Sequence, residues 1–448
     1  MNLSEQQIFK GYWWLPEKPE DKVAGVLTYS PGESILLELI GCFRGSEDSE
    51  LGFITENNDL SVIHGVDSGA KEISLLDCGG SFSYNFSSEF PIMHYHARYM
   101  VYDKHVLSMD DRCDYTAYVK FDELTLWALP SVFTYIFEQD PATHRFRSCT
   151  IKTMEYNAES VLIQSVLCEN GVTLSLNRDC TVIPGEYLLK PFLEQWTYLE
   201  IKKQDGILSI REIYHEIEKF EDFLSLATKR EILHKQIYLH DPEIGQNDEK
   251  GNRFPSSIYL LDIQRKRQSL KKIDRRRFLF RYEDIQSHFS KILPRWMSDT
   301  DNLQPIKSHL VESLIYKPVV SSVDFLQVIQ AVEGVWWRFR EDSYRANHKV
   351  KAMQTPLTVI LSEFLTELKD IQTIADLKLD IQAVVDSRHY YSHFVDKSRK
   401  PKTLDGLALY ELTKKLRMIL LCLVLDFLGL SHKEIEDILK KNLDWGNL

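Results

Sequence analysis

Near the C-terminal end, Asp386-Ser387-Arg388-His389-Tyr390-Tyr391-Ser392-His393-Phe394 gathers the side chains that phosphate chemistry needs in the absence of a metal. A guanidinium presents a planar fork of donors matched to phosphate oxygens. An imidazole, with an ordinary pKa of about 6.5, moves protons at neutral pH. RNA requires little more, because its own 2′-OH attacks the adjacent phosphate. The protein then has to transfer protons and stabilise charge on a pentavalent phosphorane. Arg388 suits the charge and His393 the acid/base work, with His389 a candidate auxiliary proton carrier.

The surrounding pattern says what must position these groups. Leu377, Ile381 and Val384 recur at the spacing of one helix face, and the stripe continues through Arg388, Tyr391 and Val395. A permanent charge thus falls where an apolar side chain is called for, so Arg388 needs an acceptor: a carboxylate, carbonyls or a bound phosphate. His393 lies about 140° further round an ideal helix. The two should converge only if the helix loosens or ends between them. Lys397 to Lys402, with Pro401, reads as the exit from that helix. A purely structural reading pairs Arg388 with a core carboxylate and leaves His393 on the surface. His389 and His393 also stand at the i,i+4 spacing of a zinc pair, but no catalytic glutamate lies between them.

Further upstream, Ser321 or Ser322 can cap a helix whose buried stripe is Phe325, Ile329, Val332, Trp336 and Phe339. Glu333 sits at the edge of that stripe and is the natural carboxylate partner and orienter for Arg388. Thr355-Pro356 opens another helix. Leu404 to Leu428 is nearly all apolar in its second half, as a central bundle helix should be, and Gly429 stops it. Ser431-His432-Lys433-Glu434 is a capping box for the last helix. Short connections point to an antiparallel bundle.

The first part of the chain has a different period. Met93, Tyr95, Ala97, Tyr99 and Val101 alternate with His94, His96, Arg98 and Met100, as in a half-buried strand. Asn170-Gly171 turns a hairpin between Val161 and Leu176. Many short strands predict an antiparallel sandwich or barrel-like domain, making the whole α+β. His94 and His96 share a strand face, which metal sites use, but a solvated sheet face accounts for them. Trp13-Trp14 reads as a staple for the N-terminal segment in preference to a ligand platform. Ile213 to Ala227 is an amphipathic helix with an acidic outer face, and Asp241 to Pro255 has the composition of a loop. The expected domains are a β-rich N-terminal domain (1–205), a mixed connecting region (206–303) and a helical bundle (304–448).

The 448 residues carry a net charge of −12, so a polyanion would need a local basic patch. One exists in Arg265, Lys266, Arg267, Lys271, Lys272, Arg275, Arg276 and Arg277, which would track an RNA backbone, although a solvated surface explains such a run equally well. The seven cysteines are scattered and never spaced Cys-x-x-Cys, which suits a reducing cytoplasm. The N-terminus does not resemble a signal peptide, and the longest apolar run is too short to span a membrane. Neither a cofactor nor a metal is called for.

The Arg-x-x-x-x-His spacing resembles the signature of HEPN ribonucleases. Asp324 to Glu333 followed by the Arg388 motif, together with Gly11-Tyr12-Trp13-Trp14-Leu15-Pro16 and Lys219 to Ala227, is similar to ApeA-type anti-phage defence proteins. The resemblance implies a C-terminal HEPN bundle and a toxin-like, metal-independent endoribonuclease activity in abortive infection. Transfer RNA is the expected target. It also implies a homodimer or higher oligomer that joins two motifs in one cleft, a sensor or regulatory role for the N-terminal domain, and a phage-encoded trigger or inhibitor. The alternative is a non-catalytic RNA- or nucleotide-binding and dimerisation module serving a β-sandwich phage sensor. Many such motifs have Asn or Asp after the arginine, where this chain has His389.

Overall fold

The computed structural model describes residues 5–43, 59–83, 92–128, 133–141, 143, 146–153, 161–183, 192–204, 206–247, 253–263, 273–298, 303–315, 321–348 and 355–444. Six strands, β1 (Gln7–Trp14), β2 (Val23–Ser30), β3 (Ser34–Ile40), β4 (Leu60–Asp67), β5 (Glu72–Ser83) and β6 (Ile92–Tyr102), form a closed antiparallel barrel. The order is β6-β3-β2-β1-β4-β5, and β5 pairs back onto β6 along its length. The alternation in β6 decides what faces in. Met93, Tyr95 and Ala97 are buried while His94 and His96 stay on the outer side, where His94 Nε2 lies 3.2 Å from Glu38 Oε2. Trp13 fills the barrel completely buried, so it is a core residue as the staple reading required. Gly65 makes room for it, since a Cβ there would come 2.2 Å from the indole ring.

β6 also joins the barrel to a second sheet. Its first half pairs with β3 as far as Ala97; from Tyr99 onward β16 (Arg253–Asp262) takes that edge. The order continues through β15 (Gln236–Asn247), β8 (Thr116–Lys120), β13 (Phe192–Lys203), β12 (Val172–Ile183) and β11 (Leu162–Leu167). Two small pairs complete the strands: β7 (Arg112–Cys113) with β14 (Leu208–Ser209), and β9 (Phe133–Gln139) with β10 (Phe146–Thr153). The β15–β16 hairpin corrects one expectation. Pairing runs on from His240↔Ser257 to Asn247↔Arg253, where the composition suggested a loop. A register shift between His240 and Gly245 absorbs Pro242, which cannot donate to the ladder.

Among the described residues there are twelve helices. They are α1 (Leu124–Trp127), α2 (Ile210–Thr228), α3 (Tyr282–Ile285), α4 (Phe289–Met297), α5 (Gln304–Ile315), α6 (Ser322–Phe339), α7 (Glu341–His348), α8 (Leu357–Glu367), α9 (Gln372–Ala375), α10 (Ile381–His393), α11 (Gly406–Leu428) and α12 (His432–Asp444). Ser209 and Glu212 form a capping box at α2, whose apolar face covers the second sheet. The barrel has its own core, but the second sheet, α2 and the helical bundle share one continuous core.

The join between them is polar as well as apolar. Buried Lys219 on α2 donates to Glu216 Oε1 at 2.7 Å and to the Met297 carbonyl at 3.1 Å, and buried Lys307 on α5 donates to the Trp296 carbonyl. Met418 to Leu425 are all buried, so α11 is the central helix. The antiparallel expectation holds for α5 against α6 but fails for α11. Asp324 pairs with Arg417 and Phe339 packs on Phe427, so α6 and α11 run the same way. Four helices, α7 to α10, separate them in sequence, and connection length therefore sets no direction.

Candidate functional site

Asp380 caps α10, its Oδ1 accepting the Ala383 N–H at 3.1 Å. One turn further in, Val384 enters the core, and the next position on that face is Arg388. α6 lies opposite. Ser321 caps it through Oγ, and its stripe of Phe325, Ile329 and Val332 is fully buried. Glu333, at the edge of the stripe, points its Oε2 at Arg388 Nη2, 3.4 Å away. Phe325 meets Tyr391 edge-on, which fixes the two helices at the level of the site.

The second nitrogen of the fork, Arg388 Nη1, lies 2.8 Å from His393 Nε2. The helix does not open between the two residues, contrary to the sequence expectation. It runs through His393 and stops only at Phe394, which adopts the left-handed cap conformation. Arginine's length bridges the angular gap that backbone geometry leaves. His389 and His393 have ring centroids 5.7 Å apart. One half-buried guanidinium thus holds Glu333 with one nitrogen and His393 with the other, and His389 stands alongside.

The electrostatics follow from partial burial. Burial raises the Glu333 carboxyl above its usual range, although the Arg388 charge pulls the other way. Burial also lowers the pKa of His389, helped by the charges of Lys400 and Arg388. Among the described residues no group of three or more His, Cys, Asp or Glu is arranged to hold a metal ion.

Two residues that sequence reasoning passed over secure the segment after the helix. Asp386, buried, accepts the Lys402 N–H at 3.1 Å and lies 3.9 Å from Lys400 Nζ. Ser387, fully buried, accepts the Leu404 N–H at 3.0 Å through its Oγ, and Tyr391 donates to the Leu404 carbonyl at 3.1 Å. The signal was present: two polar side chains stand immediately before Arg388, on the inward side of a helix.

The basic run is only partly placed. Arg265, Lys266, Arg267, Lys271 and Lys272 lie outside the described residues. Arg275, Arg276 and Arg277 form a single turn, with Arg276 paired to Asp274 at 2.9 Å and Arg275 3.8 Å from Glu283. Among the described residues no hydrogen bond or ion pair joins this turn to Arg388.

Residues 8–296 match the family described as ApeA N-terminal domain 1, and residues 326–434 match the Apea-like HEPN family. Searches of curated proteins and of solved structures returned no match. The second span contains Glu333, Arg388, His389 and His393. No helix of the described residues is long and apolar enough to cross a membrane.

Proposed function

Because this chain belongs to the ApeA-type HEPN anti-phage proteins, we propose that its helical domain is a metal-independent endoribonuclease that cuts RNA, with transfer RNA as the target, to arrest the infected cell. The observation that carries the reading is the contact between Arg388 Nη1 and His393 Nε2, braced by Glu333. A scissile phosphate that enters the site competes for the guanidinium. As it takes those donors it frees His393 Nε2 to exchange a proton. His393 Nε2 takes the 2′-OH proton as that oxygen attacks phosphorus, the phosphorane charge falls on Arg388, and the 5′-oxygen leaves with a proton given by a second, protonated acid/base group. The products are a 2′,3′-cyclic phosphate and a 5′-OH.

In-line attack puts the entering and departing oxygens on opposite sides of phosphorus. One imidazole cannot serve both at once, so two acid/base groups are needed. A homodimer that faces two motifs across one cleft provides them, and His389, beside His393 on the same helix, is the local auxiliary. The N-terminal barrel and second sheet are the proposed receiver of a phage-encoded trigger.

Inducible expression of wild-type and His393→Ala protein, with sequencing of RNA ends before and after phage challenge, tests the proposal. New ends bearing 2′,3′-cyclic phosphate should arise in the wild type alone. No new ends in either condition would reject it and leave the non-catalytic binding module standing. Light scattering of the full-length protein should report a dimer or larger particle; a strict monomer with activity would remove the composite site.

A further inference from the structure

Phe394 follows His393 directly, and at 91% it is the most exposed large apolar side chain among the described residues. Its backbone lies in the left-handed region, with φ 53° and ψ 35°. A helix cap of this conformation ordinarily holds glycine or asparagine, because a Cβ is disfavoured there. Two unfavourable features, a bare phenyl ring and a strained backbone, therefore coincide next to the Arg388–His393 pair. Strain of this kind clusters at functional sites.

The surroundings narrow the choice of occupant. Around the ring the chain is polar: His393, Asp396, Lys397, Ser398 and Arg399 are all exposed. An interface between protein copies is built on a contiguous apolar centre, and a lone ring in a charged setting does not provide one. A flat aromatic face beside cations is instead what single-stranded nucleic acid uses, the base stacking on the ring while the backbone meets the charges. Arg388 lies on one side of Phe394 in sequence. On the other is Arg399, which makes no ion pair among the described residues. Lys397 is engaged with Asp405 in an exposed pair at 2.7 Å, weak enough to yield to phosphate.

We infer that Phe394 is the stacking platform for a nucleobase flanking the scissile phosphate of single-stranded RNA, an inference that rests on the ribonuclease reading above. The ring has no hydrogen-bonding edge, so it would hold the strand in place without reading its sequence.

Fluorescence anisotropy with full-length protein and a short fluorescein-labelled, fully 2′-fluoro oligoadenylate, which cannot be cut by its own 2′ position, tests this. Phe394→Ala and Phe394→Leu should each weaken binding about 5- to 150-fold, the range for losing one stacked base, and Phe394→Trp should retain it. An abasic position moved along the probe should weaken wild-type binding at one or two places and have no effect on Phe394→Ala. Phe394→Gly should raise the melting temperature by relieving the cap while weakening binding, a combination that a merely structural ring would not give. Wild-type affinity in Phe394→Leu, the same abasic profile in wild type and Phe394→Ala, or a change of particle mass in Phe394→Ala would each overturn the inference, the last by assigning the ring to a second copy of the chain. A wild-type protein that binds no probe would overturn the ribonuclease reading with it; binding that ignores Phe394 would overturn this inference alone.

Discussion

His393 Nε2 and Arg388 Nη1 stand 2.8 Å apart on a helix whose geometry points their side chains in different directions. Arginine has donors only, so the imidazole nitrogen must be the acceptor and the ring carries its proton on Nδ1. The resting site therefore holds its acid/base group in a defined tautomer, released only when another acceptor claims the guanidinium. Glu333 holds the other end of the fork and limits how far it can swing.

Arg388→Ala and His393→Ala should each abolish RNA cleavage and phage protection while the protein stays folded. The Arg388–Glu333 pair is partly exposed, so its loss should change stability by at most about 1 kcal/mol, roughly 1 °C in melting temperature for a chain of 448 residues. Arg388→Lys should also be inactive, because an ammonium keeps the charge and loses the planar fork. If Arg388→Ala melts the protein and His393→Ala is harmless, Arg388 is only a core ion-pair residue.

Glu333→Gln separates orientation from stability. The amide keeps an acceptor and gives up the charge, so the guanidinium is held less firmly and cleavage should fall about 10- to 100-fold. Stability should hold or rise, since burial already disfavours the ionised carboxyl. Calorimetry beside a cleavage assay decides; a variant that loses stability and keeps full activity would remove Glu333 from the site.

The proposed chemistry predicts three outcomes together. Cleavage should persist in excess EDTA, products should carry 2′,3′-cyclic phosphate and 5′-OH ends, and one 2′-deoxy substitution at the cut should block the reaction while binding barely changes. Activity that disappears with EDTA, returns with Zn²⁺ and leaves 5′-phosphate ends would instead make His389 and His393 metal ligands.

The shared core predicts that the bundle cannot be cut free cleanly. A fragment beginning at Gln304 would strip Lys307 of the Trp296 carbonyl and expose Leu310 and Val311. It should melt well below the full-length protein or aggregate, by circular dichroism and light scattering. A fragment as stable as the parent would mean that the contacts with α2 and α4 contribute nothing.

His234 gives the N-terminal region a pH dependence. Burial opposes its charge, but hydrogen bonds with Asp262 and Glu221 outweigh that and raise its pKa to about 9. Its Nδ1 lies 2.8 Å from Glu221 Oε1, and its Nε2 3.3 Å from Asp262 Oδ2. A pKa raised on folding adds stability that is complete below about pH 6.5 and is lost as the pH climbs through about 9, an effect of at most about 3 kcal/mol. Melting curves across that window should show the loss in the wild type and a flatter profile in His234→Gln; parallel profiles would refute it.

What the sequence determined by itself was local. Period-two alternation placed Met93, Tyr95 and Ala97 on the inner face of a strand, and the 3.6-residue stripe put Arg388 on the inward face of a helix, because both signals depend only on neighbours along the chain. Even the charge of Arg388 at an apolar position was enough to demand a partner. Glu333, at the edge of the α6 stripe, could be named as the natural partner, but spacing could not establish the contact: Glu333 is 55 residues away, and only the packing of α10 on α6 brings the two together. The same holds for β6, whose alternation was legible although its three pairings with β3, β5 and β16 were not. Asp386 and Ser387 were visible as polar residues, but their work of tying down the segment after α10 depends on backbone N–H groups of Lys402 and Leu404 that come back only once the chain has turned at Phe394. Spacing constrains side-chain direction along one element; it carries no information about which elements meet, since that depends on how their apolar faces are jointly buried in one core.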